Sequence, residues 1–492
     1  MKQIAKQSIL TTLSSYLGVL IGYFNVLWLL PYALQPEQIG IFRTIQDMGL
    51  LFVPFAQLGV GNGITRFYPK VKENQFSFFT LSLVITIIGF VVVMAMFFLF
   101  KDLIIDTFAK NSPEVIDFLA VVILITLFAV LNSILDAFCR SFLKVAVPAF
   151  FREVVLRLLS AVLILIYLIK WIDFNQMMWG LAGIYFLALL GMIVYMIQEK
   201  IFQLRFRFKT FPSGLLSDFM KFSLITLLAT TGSMLIMKID SLMVTAMIGL
   251  DANAIYTIAF SIAVVIEMPR RAISQVVMPI VSEHFEKGEI SQIDKLYKEV
   301  AVHQLLLCSF IFLAIWMNID SLYHYVPNNT VYEMGKWVVL WIGLGKLTDV
   351  LFSINSEIIV FSKHYVFNIT ATLIMSIAVI VLNLLLIPIF GINGAAMASF
   401  MAMIIFNLVK FLYIQQRLQL NPFSIDILKI LGLSGLLWLM HYFSAGLMPN
   451  GFWSIVVNIL LLIAMYVGGI FLLDIAKPNR DRLIKKIKEV RS

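Results

Sequence analysis

The chain has 492 residues, of which 61% are hydrophobic and only 13% charged, with a mean hydropathy of +0.95. A soluble domain is about 45–50% apolar and about 25% charged, so a soluble core is excluded and the solvent is lipid. The formal net charge is +9, and the two cysteines, Cys139 and Cys308, are too few for a disulfide framework or a cysteine metal cluster and read as buried or lipid-facing thiols.

Lys2 and Lys6 precede an apolar run from Ser8 to Leu30. It is too long for a signal-peptide core of about 7–15 residues, so it reads as a retained first helix. A spanning helix needs about 20 mostly apolar residues. Fourteen segments qualify: 8–30, 40–66, 76–100, 115–138, 146–169, 177–198, 218–247, 252–281, 299–318, 332–358, 365–388, 391–414, 426–447 and 452–474. Polar residues interrupt 40–66, 218–247, 252–281 and 332–358. With the N-terminus inside, the outer loops hold only Lys101, Lys110, Lys170 and Lys336, while the inner loops and the tail are rich in Lys and Arg. This bias places both termini in the cytoplasm and assigns the excess charge to topology and anionic lipid rather than nucleic acid. The longest outer loop, 101–114, has room for no folded soluble domain, which counts against a membrane glycosyltransferase or polymerase.

The chain also repeats itself. KQSILTTL at 6–13 matches KFSLITLL at 221–228 at an offset of 215 residues, and the same offset places Asn25 on Asp240 and Pro54 on Pro269. Six segments fit within the offset, so the repeats run parallel, with the expected site between them. The predicted organisation is an N-lobe at 1–200, a basic cytoplasmic linker at 201–217 and a C-lobe at 218–420. Two added helices follow at 421–475, then a basic tail at 476–492 that reads as a surface helix or a solvated tail. Pro54 and Pro269 are matched kinks or hinges, since proline frees a backbone carbonyl. Gly59, Gly61 and Gly63 read as sites of close helix packing.

Ionisable residues inside the membrane are functional candidates, because a charge at a helix centre costs about 2.5–3.5 kcal/mol. Arg43/Asp47, Asp136/Arg140, Glu153/Arg157, Glu267/Arg271 and Lys346/Asp349 lie three or four apart, where side chains are neighbours and can neutralise each other. Lys238 and Asp240 point to different sides, cannot pair locally, and need partners on other helices or in water. Arg66 and Lys410 read as snorkelling to the inner interface, and Glu357 lies near the inner end of its segment. Arg43, Lys238, Arg270, Arg271 and Lys346 are the candidates for an anionic cargo, since arginine matches phosphate with paired hydrogen bonds. Asp47, Asp240, Glu267, Asp349 and Glu357 are the candidates for coupling to H+ or Na+. No HExxH, Walker A or GxSxG motif supports ATP hydrolysis or covalent catalysis, and no catalytic residue, metal site or resident cofactor is expected.

Three stretches carry a family resemblance. IDSLMVTAMIGLDANAIYTIAFS contains Asp240, Ala254, Tyr256 and Ala259. VVMPIVSEHFEKGEISQIDKLYKE contains Pro279, Ser282 and Gly288. NLLLIPIFGINGAAMAS runs from Asn383 through Pro388, Gly391, Gly394, Ala395 and Ala396. Together with fourteen segments they resemble the polysaccharide transporter branch of the multidrug/oligosaccharidyl-lipid/polysaccharide (MOP) exporter superfamily, the branch of the O-antigen flippases. The resemblance implies an all-α, V-shaped, MATE-like membrane fold. It also implies a flippase moving an undecaprenyl-diphosphate-linked oligosaccharide across the bacterial inner membrane by alternating access. Its implied partners are that lipid-linked sugar, membrane lipids and polysaccharide polymerase or assembly proteins. Asp240 falls on a recurrent family position. A cation-coupled multidrug exporter of the same superfamily and a lipid II flippase are the alternatives, and a membrane glycosyltransferase is weaker. The charges do not repeat: Arg43/Asp47 align with Ile258/Ile262, and Arg270/Arg271 with Phe55/Ala56.

Overall fold

The computed structural model describes residues 2–208, 211–444 and 451–476. The predicted surface helix at 477–492 and Lys209 of the linker lie outside the described residues. The protein is all-α: 86% of it is helix, and no strand occurs among the described residues.

The first helix, α1 (Lys2–Phe24), continues through a π-helical turn at Asn25–Leu29 into Leu30–Ala33. The next, α2 (Pro36–Leu51), starts on a reciprocal capping box between Gln35 and Gln38, with Pro36 at its first turn. There a missing N–H leaves no bond unmade. The path then breaks. Val53–Gln57 is a short helix, Leu58 and Gly59 are left-handed (φ 52° and 70°), and α3 (Val60–Phe67) restarts the run. After a 3-10 stretch come α4 (Gln75–Leu99), two short helices and α5 (Leu119–Ser141). The fifth expected span is Ala146–Phe150, a second π-turn at Phe151–Val155 and α6 (Leu156–Leu168), followed by α7 (Phe174–Gln198). The remaining elements are α8 (Leu215–Met247), α9 (Leu250–Val264), a 3-10 turn at Val265–Glu267, α10 (Met268–Glu286) and α11 (Ile290–Trp316). They continue with α12 (Lys336–Leu351), α13 (Asn355–Phe361), α14 (Tyr365–Phe390), α15 (Ile392–Leu418), α16 (Ile425–Ser444) and α17 (Phe452–Leu472).

By length and composition twelve helices can cross a membrane among the described residues, and a bent pair, Asn329–Leu351 with Asn355–Phe361 at 47°, makes a thirteenth. The remaining expected span, 146–169, is helical from Ala146 to Leu168 but carries Arg152, Glu153 and Arg157 on its π-turn and the first turn of α6. Many helices expose apolar rather than polar side chains: α4 presents Ile87, Ile88, Val91 and Val92 outward. That is the pattern of a lipid-facing surface, where every backbone group is satisfied within its own helix.

The chain forms two compact units, Met1–Thr257 and Ile258–Ser492. In the first, α8 packs on α2 and α3. Gly59 permits this contact, because a Cβ there would stand 2.0 Å from Ser223 O. Close approach through small residues is how membrane helices gain contact without a hydrophobic driving force. Phe78, Phe79, Phe138, Met192 and Phe219 fill the adjoining core, and Phe202 and Phe211 of the expected linker pack against it. In the second unit α11 and α12 share a core with α16 and α17 around Leu305, Val350, Leu433 and Leu462. Cys139 and Cys308 are buried free thiols.

Candidate functional site

Pro54 and Pro269 do not sit in helix interiors. Each occupies the first turn of a helix that restarts after a break: Val53–Gln57 for Pro54, and α10, after its 3-10 turn, for Pro269. A proline is tolerated there, so the sequence equivalence corresponds to two interruptions at matching places rather than two simple kinks.

In the first unit, the expected neighbours Arg43 and Asp47 do not pair. Asp47 instead binds Lys238 of α8, with Nζ and Oδ1 2.6 Å apart. Arg43 Nη1 donates to Gln46 Oε1 at 3.2 Å, and Gln46 in turn donates to the Tyr185 hydroxyl at 3.2 Å. Asp47 thus meets its partner on another helix, where burial strengthens the pairing, whereas Arg43 bonds within α2 and is linked to α7 through Gln46. Asp240, which needed a partner elsewhere, accepts from the Tyr256 hydroxyl of α9 at 3.0 Å. Beside it lies a fully buried polar knot: Asn253 donates to Thr44, Thr44 and Thr245 share a hydrogen bond of 2.8 Å, and Ser241 donates to Asn253. Arg152 takes Asp136 at 2.8 Å, leaving Arg140 at 3.9 Å, while Glu153 and Arg157 pair at 3.3 Å as expected.

In the second unit the pairings shift in the same manner. Glu267 and Arg271 meet at 2.8 Å, as their spacing predicts. Lys346 does not pair with Asp349, however. It reaches Glu267 at 2.5 Å, so that one carboxylate bridges two cations, and Asp349 pairs with Arg270 at 3.1 Å. Arg270 also donates to Ser353 O at the bend between α12 and α13, where Ser353 adopts a positive φ of 53°. Tyr297 caps the neighbouring carbonyl of Phe352 at 3.0 Å, and the Ser353 hydroxyl donates to Gln304. The broken span therefore has its free carbonyls answered by side chains from α10 and α11.

Lys410 corrects the sequence reading. It does not snorkel: the side chain is 1% exposed, with Nζ on Ser356 Oγ at 2.7 Å and 3.7 Å from the centre of the Phe406 ring. Arg66 is exposed, with its guanidinium 4.3 Å from the Phe222 ring centre. Glu357 is buried beside the bend. Lys410 completes the cluster together with Gln304, Asn355 and Asn407, three amides that sequence reasoning passed over. Their signal was polarity inside apolar segments, where an unsatisfied amide is costly. What joins Asn355 to Asn407, 52 residues away at 2.8 Å, is the fold.

Bundled hydrophobic helices, twelve of them long and apolar enough to cross a membrane among the described residues, define a multi-pass membrane protein. The lipid II flippase MurJ in an inward closed conformation superposes with a TM-score of 0.72 at 18% identity, over 96% of this chain and 99% of that one. An inward-facing multidrug resistance MATE family transporter of the MOP superfamily gives 0.60 at 14% identity, over 83% and 94%. A MOP superfamily transporter from Pyrococcus furiosus gives 0.55 at 15% identity, over 85% and 96%. These likenesses establish the fold. Among curated proteins none matches the sequence. Residues 4–285 match the polysaccharide biosynthesis protein family, and the chain belongs to that family.

Proposed function

We propose that the protein is a flippase that moves an oligosaccharide repeat unit, carried on undecaprenyl diphosphate, from the inner to the outer leaflet of the bacterial inner membrane by alternating access. The observation that carries this reading is the charge cluster of the second unit. Arg270, Arg271, Lys346 and Lys410 face Glu267, Asp349 and Glu357, four cations against three carboxylates, all but one of these groups largely buried. Arg271 is the exception: its side chain is 53% exposed while its partner Glu267 is 9% exposed. It is the member placed to meet a cargo, and a guanidinium matches a diphosphate bidentately. Arg43 and Lys238 extend the same anion preference to the first unit. Coupling to H+ or Na+ is assigned to Asp47, Asp240, Glu267, Asp349 and Glu357. Polysaccharide polymerase and assembly proteins are the proposed partners, with both termini cytoplasmic.

The test is reconstitution in vesicles with a fluorescent isoprenyl-diphosphate oligosaccharide, scoring transfer between leaflets. Wild type transfers the probe, and Arg270→Ala with Arg271→Ala reduces transfer at least about tenfold, since each charged hydrogen bond contributes about 1.5–3 kcal/mol. Export of a cationic dye without transfer of any isoprenoid-linked sugar overturns the reading. Fold similarity to the lipid II flippase favours lipid II as the second cargo to try, and selective transfer of lipid II would reassign the substrate.

A further inference from the structure

Four hydrogen bonds beside the bend of α12 and α13 run one way. Lys410 Nζ donates to Ser356 Oγ at 2.7 Å, and Ser356 Oγ donates to Asn355 Oδ1 at 3.2 Å. Asn355 Nδ2 donates to Asn407 Oδ1 at 2.8 Å, and Asn407 Nδ2 donates to Asp349 Oδ1 at 3.2 Å. The chain starts on a buried amine and ends on a carboxylate, so each bond polarises the next in the same sense. Asp349 Oδ2, the other oxygen, faces Arg270 Nη1 at 3.1 Å. One carboxylate is thus held from two sides, directly by Arg270 and through three side chains by Lys410. Arg270 keeps a donor in reserve, because its buried Nε has no partner.

This arrangement answers a difficulty in the preceding reading, on which it rests. Arg270 is already neutralised by Asp349. A diphosphate arriving at Arg270 must displace that carboxylate, and an uncompensated carboxylate inside the bilayer is expensive. We propose that Lys410 is a positioning residue for anion binding: as a diphosphate takes Arg270, Asp349 is handed to the relay that ends in Lys410. Asn407 and Lys410 lie on one face of α15, and Asn355 and Ser356 open α13. The hand-over therefore ties the occupancy of Arg270 to the two helix segments that meet at the broken span. Nothing covalent changes; one ion pair exchanges for another.

The test measures binding of farnesyl diphosphate to the purified full-length protein. Lys410→Met weakens binding about tenfold, a common size for coupling between sites, and Lys410→Arg does not. Asp349→Asn added to Lys410→Met restores binding to within about threefold of wild type, because no carboxylate then needs the relay. Asn407→Leu cuts the relay at a second point and shows the same rescue, which keeps the test usable where Lys410→Met fails to fold. Wild-type affinity in both single variants, or weakened binding without rescue by Asp349→Asn, overturns the hand-over while leaving the diphosphate cargo standing. Absence of binding by the wild type removes both.

Discussion

The pair between Lys238 and Asp47 makes an asymmetric prediction. Asp47 is 10% exposed and Lys238 23% at the side chain, and their charged atoms are 2.6 Å apart. Breaking a buried pair by removing one partner costs about 3–5 kcal/mol, because the other charge stays buried. The two removals are not equivalent here. Arg43 lies one turn before Asp47 on α2, held only by Gln46 through Nη1, with a buried Nε that has no partner. After Lys238→Met, Arg43 can turn to Asp47, since residues four apart on a helix are neighbours. After Asp47→Leu, Lys238 and Arg43 are both stranded. Asp47→Leu is therefore expected to cost the full amount, and Lys238→Met about 1–2 kcal/mol, between the worth of a neutral and of a charged hydrogen bond. At about 2–4 °C per kcal/mol, the scale for a unit of this size, Asp47→Leu lowers the apparent melting temperature by about 6–20 °C and Lys238→Met by about 2–8 °C. The double variant should be milder than Asp47→Leu alone, because a buried pair replaced by apolar residues is often tolerated. Thermal unfolding of detergent-purified protein, followed by size-exclusion fluorescence at one heating rate, measures all three. Equal losses for the two single variants would refute the idea that Arg43 stands in reserve.

Two further outcomes are accessible to simple experiments. A Cβ on Gly40 would sit 2.2 Å from Leu250 O, a backbone atom that cannot step aside, so Gly40→Val should cost about 1–3 kcal/mol or more. Gly183→Ala, where an added Cβ meets nothing within 4 Å, serves as the control and should leave the melting temperature unchanged. The charge bias predicts that alkaline phosphatase fused after Asn111 is active and that green fluorescent protein fused after Ser492 fluoresces; the opposite pattern would invert the topology.

The helices were legible because lipid imposes one simple demand, about 20 apolar residues per crossing. Even 146–168 is a helix as read, although its three charges dilute the signal. Interruptions were legible where proline marks them, at Pro54 and Pro269, whereas Gly59 was read for close packing and not for the left-handed break it forms with Leu58. Others were hidden at the π-turns Asn25–Leu29 and Phe151–Val155, which no residue type requires. These two turns belong to neighbouring helices, and Asn25 Nδ2 donates to Arg157 O at 2.8 Å; their cause is tertiary. The identity of the charged residues was legible too, but their partners were not. Spacing along one helix pairs Arg43 with Asp47 and Lys346 with Asp349. The fold gives Asp47 to Lys238 and Asp349 to Arg270, because a closely apposed neighbouring helix outweighs a flexible contact one turn away.

The internal repeat gains a physical reading from these pairings. At equivalent positions Pro54 and Pro269 each start a helix after a break, so what was duplicated includes the interruptions, not only the spans. Asn25 and Asp240, also equivalent, both answer a neighbouring helix: one donates to a backbone carbonyl and the other accepts a tyrosine hydroxyl. Duplication therefore preserved the places where helices break and lock. The cations were laid over this scaffold separately in each half. Where Arg270 and Arg271 stand, the first half has Phe55 and Ala56, and its own Arg43 and Asp47 face isoleucines in the second. In the proposed function the cluster around Glu267 and Asp349, with its bridging carboxylate and its one exposed arginine, holds the anion. The pair at Asp47 has the composition for joining α2 to α8. Neutralising Arg271 should accordingly change cargo handling more than stability, whereas neutralising Asp47, which pairs with Lys238 and is assigned to coupling, should lower both.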